Sequence, residues 1–242
     1  MNTRSLSIII PAFNEEGNIE SACRDVDDIA KKHLSDYEIL VVDDASQDRT
    51  AEIIANLQKE ISHLILLRNP VNKGLGYNYR KCLSESRFPY AMMVPGDNET
   101  VASSLGAIFQ KIGTADIIVC YASNPGVRSF RRRLVSKIFT QSINFLFGLN
   151  IRYYNGPCIV RTDLAKNFVP STSSFAYMAV ILIRSLKRGF SYQEMPFALR
   201  ARGHGKTKAF HLRNIINVMR DVLILFWNEM ICQQSRQMVE AR

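Results

Sequence analysis

The sequence has few cysteines, few histidines and no long apolar run. Its five cysteines among 242 residues lie far apart with no Cys-x-x-Cys pair, which excludes a disulfide framework and a cysteine zinc site. The four histidines have no metal-ligand spacing. No apolar stretch reaches the roughly 20 residues that a membrane-spanning helix needs, and the run at 6–10 has the length of a strand, so we expect no signal peptide. These absences favour the reducing cytosol.

Acidic residues are scarce in the second half of the chain. Residues 1–120 carry 12 Lys/Arg and 17 Asp/Glu, whereas residues 121–242 carry 19 and 5, so the net charge of +9 conceals two halves of opposite sign. A strongly basic half is typical of proteins that bind phosphates, nucleic acid or an acidic membrane surface. A solvated basic face without a partner is the alternative.

Short, continuous apolar runs in the first half predict strands that are buried on both faces. They are SIIIP (7–11), YEILVVDD (37–44), HLILLR (63–68), YAMMVP (90–95) and DIIVCY (116–121). Segments with helical periodicity separate them, at about 18–34, 49–60, 75–86 and 103–112. This alternation predicts an α/β fold with a doubly wound, mostly parallel sheet.

Ligands bind at the carboxyl ends of the strands in such a sheet. Polar and acidic segments follow the first four predicted strands: PAFNEE (11–16), DDASQD (43–48), RNPVNKGLG (68–76) and PGDNE (95–99). We therefore expect the functional site among these four loops.

The second half has a different pattern. It contains, in order, an arginine cluster and amphipathic helix (128–148), an Asn-Gly turn into a strand (153–161), a helix ending at Gly189 (175–189), an extended segment (192–200), a basic loop RGHGKTK (202–208) and a last helix (212–232). The apolar residues of the last helix fall near one face, which could bind a membrane surface, the domain itself or a partner subunit.

SIIIPAFNEEGNI, VVDDASQDRT, NKGLG and RGHGKTK together resemble the family 2 glycosyltransferases, particularly the polyprenyl-phosphate sugar synthases such as dolichol-phosphate mannose synthase. The resemblance implies a GT-A-type fold and a metal-dependent, inverting enzyme. Such an enzyme moves a sugar from a nucleoside-diphosphate sugar to a lipid phosphate, using Mg²⁺ or Mn²⁺. It also implies a domain at 1–210, with a nucleotide-sugar half at 1–120 and an acceptor half at 121–210, and an amphipathic helix and tail at 211–242.

The resemblance assigns the donor nucleotide to the first three loops. The residues that would hold its base and ribose are Pro11, Ala12, Asn14 and Glu15. A carboxylate can accept the ring N–H of uracil or guanine, and the family places Asp44 there. Lys73 would reach the nucleotide, although a solvated lysine after a turn is the alternative. Ser46 and Asp48 are expected to cap the following helix.

The segment PGDNE is the predicted metal site. A hard divalent cation that bridges two phosphates needs one or two carboxylates. The family pattern is Asp-x-Asp, often followed two residues later by Gln. Aligned on it, the first Asp becomes Pro95, the second is Asp97, and Glu99 takes the Gln position. We predict Asp97 and Glu99 as metal ligands, with Asp97 also catalytic; acids that only cap the next helix are the alternative.

Arginine supplies the opposite charge, because its fork suits phosphate oxygens. By resemblance, Arg132, Arg133 and Ser136 would bind the acceptor phosphate. The catalytic arginines would be Arg128, Arg132 and Arg202. Lys208 would contact the donor from the 202–208 loop, which can close over a diphosphate. A basic surface that faces a membrane is a second interpretation.

The shortage of acids also limits the choice of general base. Between Asp116 and Asp221 only Asp163, which resembles an N-cap, and Glu194, within a strand motif, are acidic, and His204 remains possible. A phosphate acceptor needs no base because its oxygen is already anionic, so a lipid phosphate is favoured over a sugar hydroxyl. Transfer to a glycan and a weakly active nucleotide-sugar-binding protein are the alternatives.

These inferences together imply a place on the cytosolic face of a membrane. The expected partners are a sugar nucleotide, a lipid phosphate, and a membrane surface or membrane protein subunit. A homo-oligomer is possible, and no nucleic acid is expected.

Overall fold

The computed structural model describes residues 4–201 and 212–240, and it contains one seven-stranded sheet. The strands are β1 (Ser5–Ala12), β2 (Asp36–Asp43), β3 (Leu64–Arg68), β4 (Tyr90–Met93), β5 (Ile117–Ala122), β6 (Ile159–Arg161) and β7 (Tyr192–Phe197). Their spatial order is β3-β2-β1-β4-β6-β5-β7. Only β6 runs antiparallel to its neighbours β4 and β5, so the predicted mostly parallel sheet is confirmed.

Helices cover both faces of the sheet. They are α1 (Ile19–His33), α2 (Thr50–Glu60), α3 (Leu75–Glu85), α4 (Ala102–Phe109), α5 (Phe130–Phe147), α6 (Thr162–Phe168), α7 (Tyr177–Leu186) and α8 (Leu212–Glu240). Successive strand residues point to opposite faces. Ile8 and Ile10 therefore pack with α1, α2 and α4, whereas Ile9 packs with α3, α5, α6 and α7. This double burial explains why the strands are continuous apolar runs.

Two helix ends test the sequence predictions. Gly189 has φ +80°, and the Phe190 N–H donates to the Ser185 carbonyl over 3.2 Å, which is the predicted glycine-ended turn after α7. Asp163 is not an N-cap as predicted, because it lies inside the first turn of α6 and its carboxylate pairs with Arg161.

Helix α8 has an inner and an outer face. Val222 and Leu225 are buried, and Phe226 packs edge-on against Phe147 of α5 at 5.9 Å between ring centroids. The helical pattern of the sequence groups Phe226 on one face with Met219, Leu223 and Trp227, but those three residues are all more than half exposed.

Asp221 fastens the inner face of α8 to the domain. Its carboxylate accepts hydrogen bonds from Ser174 Oγ at 2.6 Å and from Thr172 Oγ1 at 2.5 Å. Helix α8 therefore packs on the domain and still presents an apolar face to its surroundings. Among the described residues, no helix combines the length and the hydropathy required to cross a bilayer.

Candidate active site

A cleft of about 1370 Å³ opens at the carboxyl ends of β1, β2 and β4. The donor-side loops form one wall, with Pro11, Ala12, Glu15, Asp44 and Asp97 among its residues. The start of α5 forms the opposite wall with Arg128, Arg132, Arg133 and Ser136. The sheet topology thus brings together residues that the sequence places in its acidic and basic halves.

Hydrogen bonds join the loops that follow β1 and β2. Asn14 adopts φ +54°, a left-handed conformation that Asn tolerates. Its N–H donates to Ser46 Oγ at 3.0 Å, and its side-chain carbonyl accepts the Gln47 N–H at 2.9 Å. The Glu15 N–H donates to Thr50 Oγ1 at 2.8 Å. The predicted base-and-ribose segment is therefore held rigidly against the second loop.

Asp48 joins the same two loops. Its Oδ2 accepts the Glu16 N–H at 3.2 Å, and its Oδ1 accepts the Thr50 N–H at 3.0 Å beside the start of α2. Burial opposes ionisation of Asp48, but a hydrogen bond from the Thr50 hydroxyl and the two backbone hydrogen bonds outweigh it and lower the pKa of the Asp48 carboxyl. Ser46, in contrast, serves the Asn14 N–H rather than the start of the helix.

Asp44 organises the loop before α3. Its Oδ1 accepts from Asn69 Nδ2 and from the Lys73 N–H, both at 2.8 Å, and its Oδ2 accepts the Gly74 N–H at 2.9 Å. Gly74 has φ +84°, which favours glycine. A carboxylate has about four acceptor positions, so one remains for a ligand after these three bonds. This loop-holding role was missed by the sequence analysis.

A second, smaller pocket of about 840 Å³ adjoins these loops. Its lining includes Phe13, Asp43, Ser46 and Arg68. Asp43 accepts the Ser46 N–H at 3.1 Å through Oδ1, while its Oδ2 lies 3.8 Å from Arg68 Nε. Asp43 is thus a second carboxylate at the end of β2, in a position that the resemblance did not assign.

Asp97 and Glu99 lie in one turn but have different surroundings. Asp97 lines the cleft, and its Oδ1 accepts the Glu99 N–H at 3.2 Å. The Glu99 carboxylate pairs with Arg132 at 3.0 Å and with Arg128 at 3.5 Å. The described part of the chain contains no cluster of three or more acidic, His or Cys side chains that could hold a metal ion. A single carboxylate such as Asp97 suffices where donor phosphates and water supply the other ligands.

Aromatic rings support the arginine cluster. Arg128 Nη1 donates to the Tyr153 hydroxyl at 2.8 Å, and its guanidinium carbon lies 5.9 Å from the centre of that ring. Arg133 lies over Phe130 at 5.8 Å. Sequence reasoning found the arginines but missed both rings, which are 25 and 3 residues away from their partners.

Several other predicted residues lie outside the cleft or outside the described chain. Lys73 places its ammonium 5.9 Å from the centre of the Tyr77 ring. Asp163 and Glu194, the two acids considered as a general base, are absent from the cleft lining, and Glu194 instead accepts the Arg152 N–H at 2.8 Å. Arg202, His204 and Lys208 fall in the segment that the structure does not describe.

The outer part of the cleft is apolar. Ile138 and Leu146 of α5 line it together with Met219 and Leu223 of α8. The thiol of Cys158, which follows the cleft-lining residue Pro157, is not a nucleophile, because burial raises its pKa to about 12. The cleft therefore combines charged side chains with a mouth of exposed apolar residues.

Residues 7–168 match the model of glycosyl transferase family 2. The chain belongs to this family. Its relatives include a dolichyl-phosphate beta-glucosyltransferase of Dictyostelium discoideum, 31% identical over 70% of this chain and 52% of the relative. A GalNAc(5)-diNAcBac-PP-undecaprenol beta-1,3-glucosyltransferase of Campylobacter jejuni is 29% identical over 44% of this chain and 34% of its own. This family 2 chain thus spans about half the length of the first relative and a third of the second.

The fold also matches solved structures of other proteins. Glucosyl-3-phosphoglycerate synthase of Mycobacterium tuberculosis, crystallised with Mn²⁺, UDP-glucose and phosphoglyceric acid, superposes with a TM-score of 0.63. The match covers 93% of this chain and 79% of the synthase at 15% sequence identity. At that identity the likeness establishes the GT-A fold alone.

Proposed function

We propose that this family 2 chain transfers a sugar from a nucleoside-diphosphate sugar to a polyprenyl phosphate. The observation that carries the proposal is the composition of one cleft. Donor-side carboxylates face an arginine cluster, and apolar residues of α5 and α8 continue the cleft outward. The phosphate head of a polyprenyl phosphate matches the arginine cluster, and its hydrocarbon tail matches the apolar residues. The names of the Dictyostelium and Campylobacter relatives support a lipid-linked acceptor.

The donor belongs at the loops after β1, β2 and β4. Pro11, Ala12, Asn14 and Glu15 would border its base and ribose, and Asp44 or Asp43 would accept a ring N–H. A Mg²⁺ or Mn²⁺ ion held by Asp97 and the donor phosphates would offset the charge that develops on the leaving diphosphate. The Mn²⁺ and UDP-glucose in the Mycobacterium structure support such a donor.

The acceptor phosphate belongs beside Arg132, Arg133 and Ser136. One of its oxygens attacks the anomeric carbon, the new C–O bond forms, and the bond to the nucleoside diphosphate breaks with its electron pair on the leaving oxygen. A single displacement of this kind inverts the anomeric configuration. The attacking oxygen carries no proton, so no general base is needed. This chemistry agrees with a cleft in which Glu99, the described acidic lining residue beside the arginines, is already paired with Arg128 and Arg132.

The test measures transfer of a labelled sugar from a panel of UDP- and GDP-sugars to undecaprenyl phosphate and to dolichyl phosphate, with and without Mn²⁺. We expect a lipid-linked product that requires the metal. A parallel assay offers an oligosaccharide hydroxyl as acceptor. Donor binding without transfer to any lipid phosphate overturns the proposal, and transfer to the oligosaccharide alone supports the hydroxyl alternative.

Asp44→Ala tests the donor side. The substitution removes three hydrogen bonds that hold residues 69–74, including two backbone N–H groups that lose a charged acceptor. We expect UDP to bind at least about 30-fold more weakly, measured by titration calorimetry. Asp36→Ala, an exposed acid at the opposite end of β2, is the matched control and should bind UDP normally. Unchanged UDP affinity in Asp44→Ala contradicts the donor assignment.

The outer faces of α5 and α8 are the surface that we propose to lie on an anionic membrane. Phe130, Leu134, Ile138 and Phe145 are exposed on α5, and Ile216, Met219, Leu223 and Trp227 on α8. Exposed basic residues accompany them, with Arg133 over Phe130 and Arg220 one helical turn from Leu223. Apolar side chains beside basic ones are typical of surfaces that bind acidic lipid. This placement would set the cleft mouth at the cytosolic face of a membrane.

Trp227 is the sole tryptophan and is 64% exposed, so its fluorescence can report docking. We expect its emission to shift to the blue when vesicles containing phosphatidylglycerol are added, and we expect the shift to vanish in a Phe130→Glu/Leu223→Glu variant. Tyr192→Glu, which alters an exposed apolar residue on β7, should behave like the parent. A blue shift that rises with protein concentration in the absence of vesicles indicates self-association and contradicts the membrane assignment.

A further inference from the structure

We propose that Glu99 is a positioning residue, the built-in counter-ion of Arg128 and Arg132. It holds the two guanidinium groups side by side at the acceptor end of the cleft and limits how tightly they bind a phosphate. This role differs from the metal-ligand role that the spacing of Asp97 and Glu99 predicts for the same residue. The proposal rests on the proposed function, because the arginines are taken to receive the acceptor phosphate.

Each oxygen of the Glu99 carboxylate has its own guanidinium partner. Oε1 lies 3.0 Å from Arg132 Nη1, and Oε2 lies 3.5 Å from Arg128 Nη2. The Glu99 side chain is only 9% exposed, and the arginine side chains are 25% and 15% exposed. Charges this far removed from water need a counter-charge, and the three groups supply it to one another.

The start of α5 makes that counter-charge necessary. Arg131, Arg132 and Arg133 occupy the first turn of the helix, where the unpaired N–H groups already create a positive field. Ser129 caps one N–H, the one of Arg132, but carries no charge. A carboxylate at this end of a helix is favourable. Glu99 therefore stabilises both the helix start and the close approach of two like-charged side chains.

The main chain fixes the carboxylate in front of the arginines. The Glu99 carbonyl accepts the Arg200 N–H at 2.8 Å, and the next residue, Thr100, forms a bridge with Leu199. Tyr153 holds Arg128 from the other side through its hydroxyl. Glu99 and Arg128 thus have anchors besides their contact with each other.

The cluster still has capacity for a phosphate. Two arginines and one carboxylate carry a net charge of +1, and a guanidinium offers five N–H donors. Arg128 and Arg132 both line the cleft, and their side chains remain partly exposed. A phosphate oxygen in the cleft can therefore accept from guanidinium N–H groups, but it must share the arginines with Glu99. The geometry therefore favours precise orientation of the acceptor at the expense of ground-state affinity.

Glu99→Gln separates the two roles. The probe is decyl phosphate, a phosphate monoester with an apolar tail, titrated calorimetrically into metal-free protein, and Mn²⁺ binding in the presence of UDP is followed by electron paramagnetic resonance. As a counter-ion, Glu99→Gln should bind decyl phosphate roughly tenfold more tightly because a nearby negative charge is lost. It should also turn over about tenfold more slowly because the arginines lose their alignment. Its Mn²⁺ affinity should be unchanged.

A large loss of Mn²⁺ affinity with unchanged decyl phosphate binding overturns the proposal in favour of a metal ligand. Glu52→Gln, the same change in an exposed Arg49 pair on α2, is the matched control and should alter neither quantity. If Glu99→Gln does not fold, Arg132→Gln is measured instead. If Glu99 is a counter-ion, Arg132→Gln should bind decyl phosphate more weakly than the parent and Mn²⁺ with unchanged affinity. Tighter Mn²⁺ binding in Arg132→Gln contradicts it. Both binding measurements remain decisive even if no lipid phosphate accepts a sugar, so the two proposals can fail separately.

Discussion

Asp97→Asn should reduce Mn²⁺-dependent sugar transfer at least about 100-fold, because the amide lacks the charge with which the carboxylate holds a divalent cation against the donor phosphates. Asp97 has to hold the cation without the first Asp of the family pattern, since Pro95 stands at that position. Glu99, in the same turn, is already engaged by two arginines. Radiolabelled transfer measured against Mn²⁺ concentration checks the loss.

A binding measurement separates metal loss from misfolding. In Asp97→Asn, Mn²⁺ should no longer strengthen UDP binding, whereas metal-free UDP binding and the melting temperature should stay close to the parent. Asp163→Asn is the matched control: its carboxylate lies outside the cleft lining, is 56% exposed and pairs with Arg161. Normal turnover in that variant also argues against Asp163 as a general base. Full Mn²⁺ dependence in Asp97→Asn would mean that the cation lies elsewhere.

The strands could be predicted because their environment is uniform. A segment such as residues 7–11, buried on both faces, has to be apolar throughout, and that signal is visible in a single sequence. The three-residue strand β6 gave no comparable signal of direction, so its antiparallel position between β4 and β5 could not be foreseen. The loops after the first four strands were predictable as a site because parallel topology collects carboxyl ends at one edge.

The partners within the site could not be predicted. Glu99 meets Arg132 across 33 residues, and Asp44 reaches the Gly74 N–H across 30. Such pairings depend on how separate elements pack, which no local pattern encodes. An acidic residue at a strand end indicates a site, but its chemistry depends on what folds against it. Asp44 therefore combines loop-holding with its proposed base contact, and Glu99 has arginine partners.

Helix α8 illustrates the same limit for a surface. A helical pattern alone groups Phe226 on one face with Met219, Leu223 and Trp227 and does not show what that face contacts. The structure turns Phe226 toward Phe147 and ties Asp221 to Thr172 and Ser174. The residues left outside then join those of α5 around the cleft mouth. The apolar face that remains is thus part of the same surface as the proposed acceptor site.

Gly156→Ala should lower the free energy of unfolding by about 3 kcal/mol, more than the other substitutions proposed, because overpacking against rigid backbone costs about 1–3 kcal/mol. A Cβ at this position would lie 2.0 Å from the Cys120 carbonyl oxygen in β5 and 3.1 Å from the Tyr153 ring. The strand cannot yield without disturbing its pairing with β7. The loop at 153–157 has to move instead, and that loop lines the cleft.

The displacement should reach the acceptor site through Tyr153, whose hydroxyl holds Arg128. We therefore expect the melting temperature of Gly156→Ala to be roughly 6–12 °C lower, since each kcal/mol shifts a chain of this size by about 2–4 °C. Below that temperature, the variant should bind decyl phosphate several-fold more weakly. Gly126→Ala is the matched control, because a Cβ there meets nothing within 4 Å and it should change stability by no more than about 0.5 kcal/mol. A Gly156→Ala protein as stable as Gly126→Ala would show that the loop adapts without cost. Lower stability with normal decyl phosphate binding would show that the displacement at Gly156 does not extend to Tyr153 and Arg128.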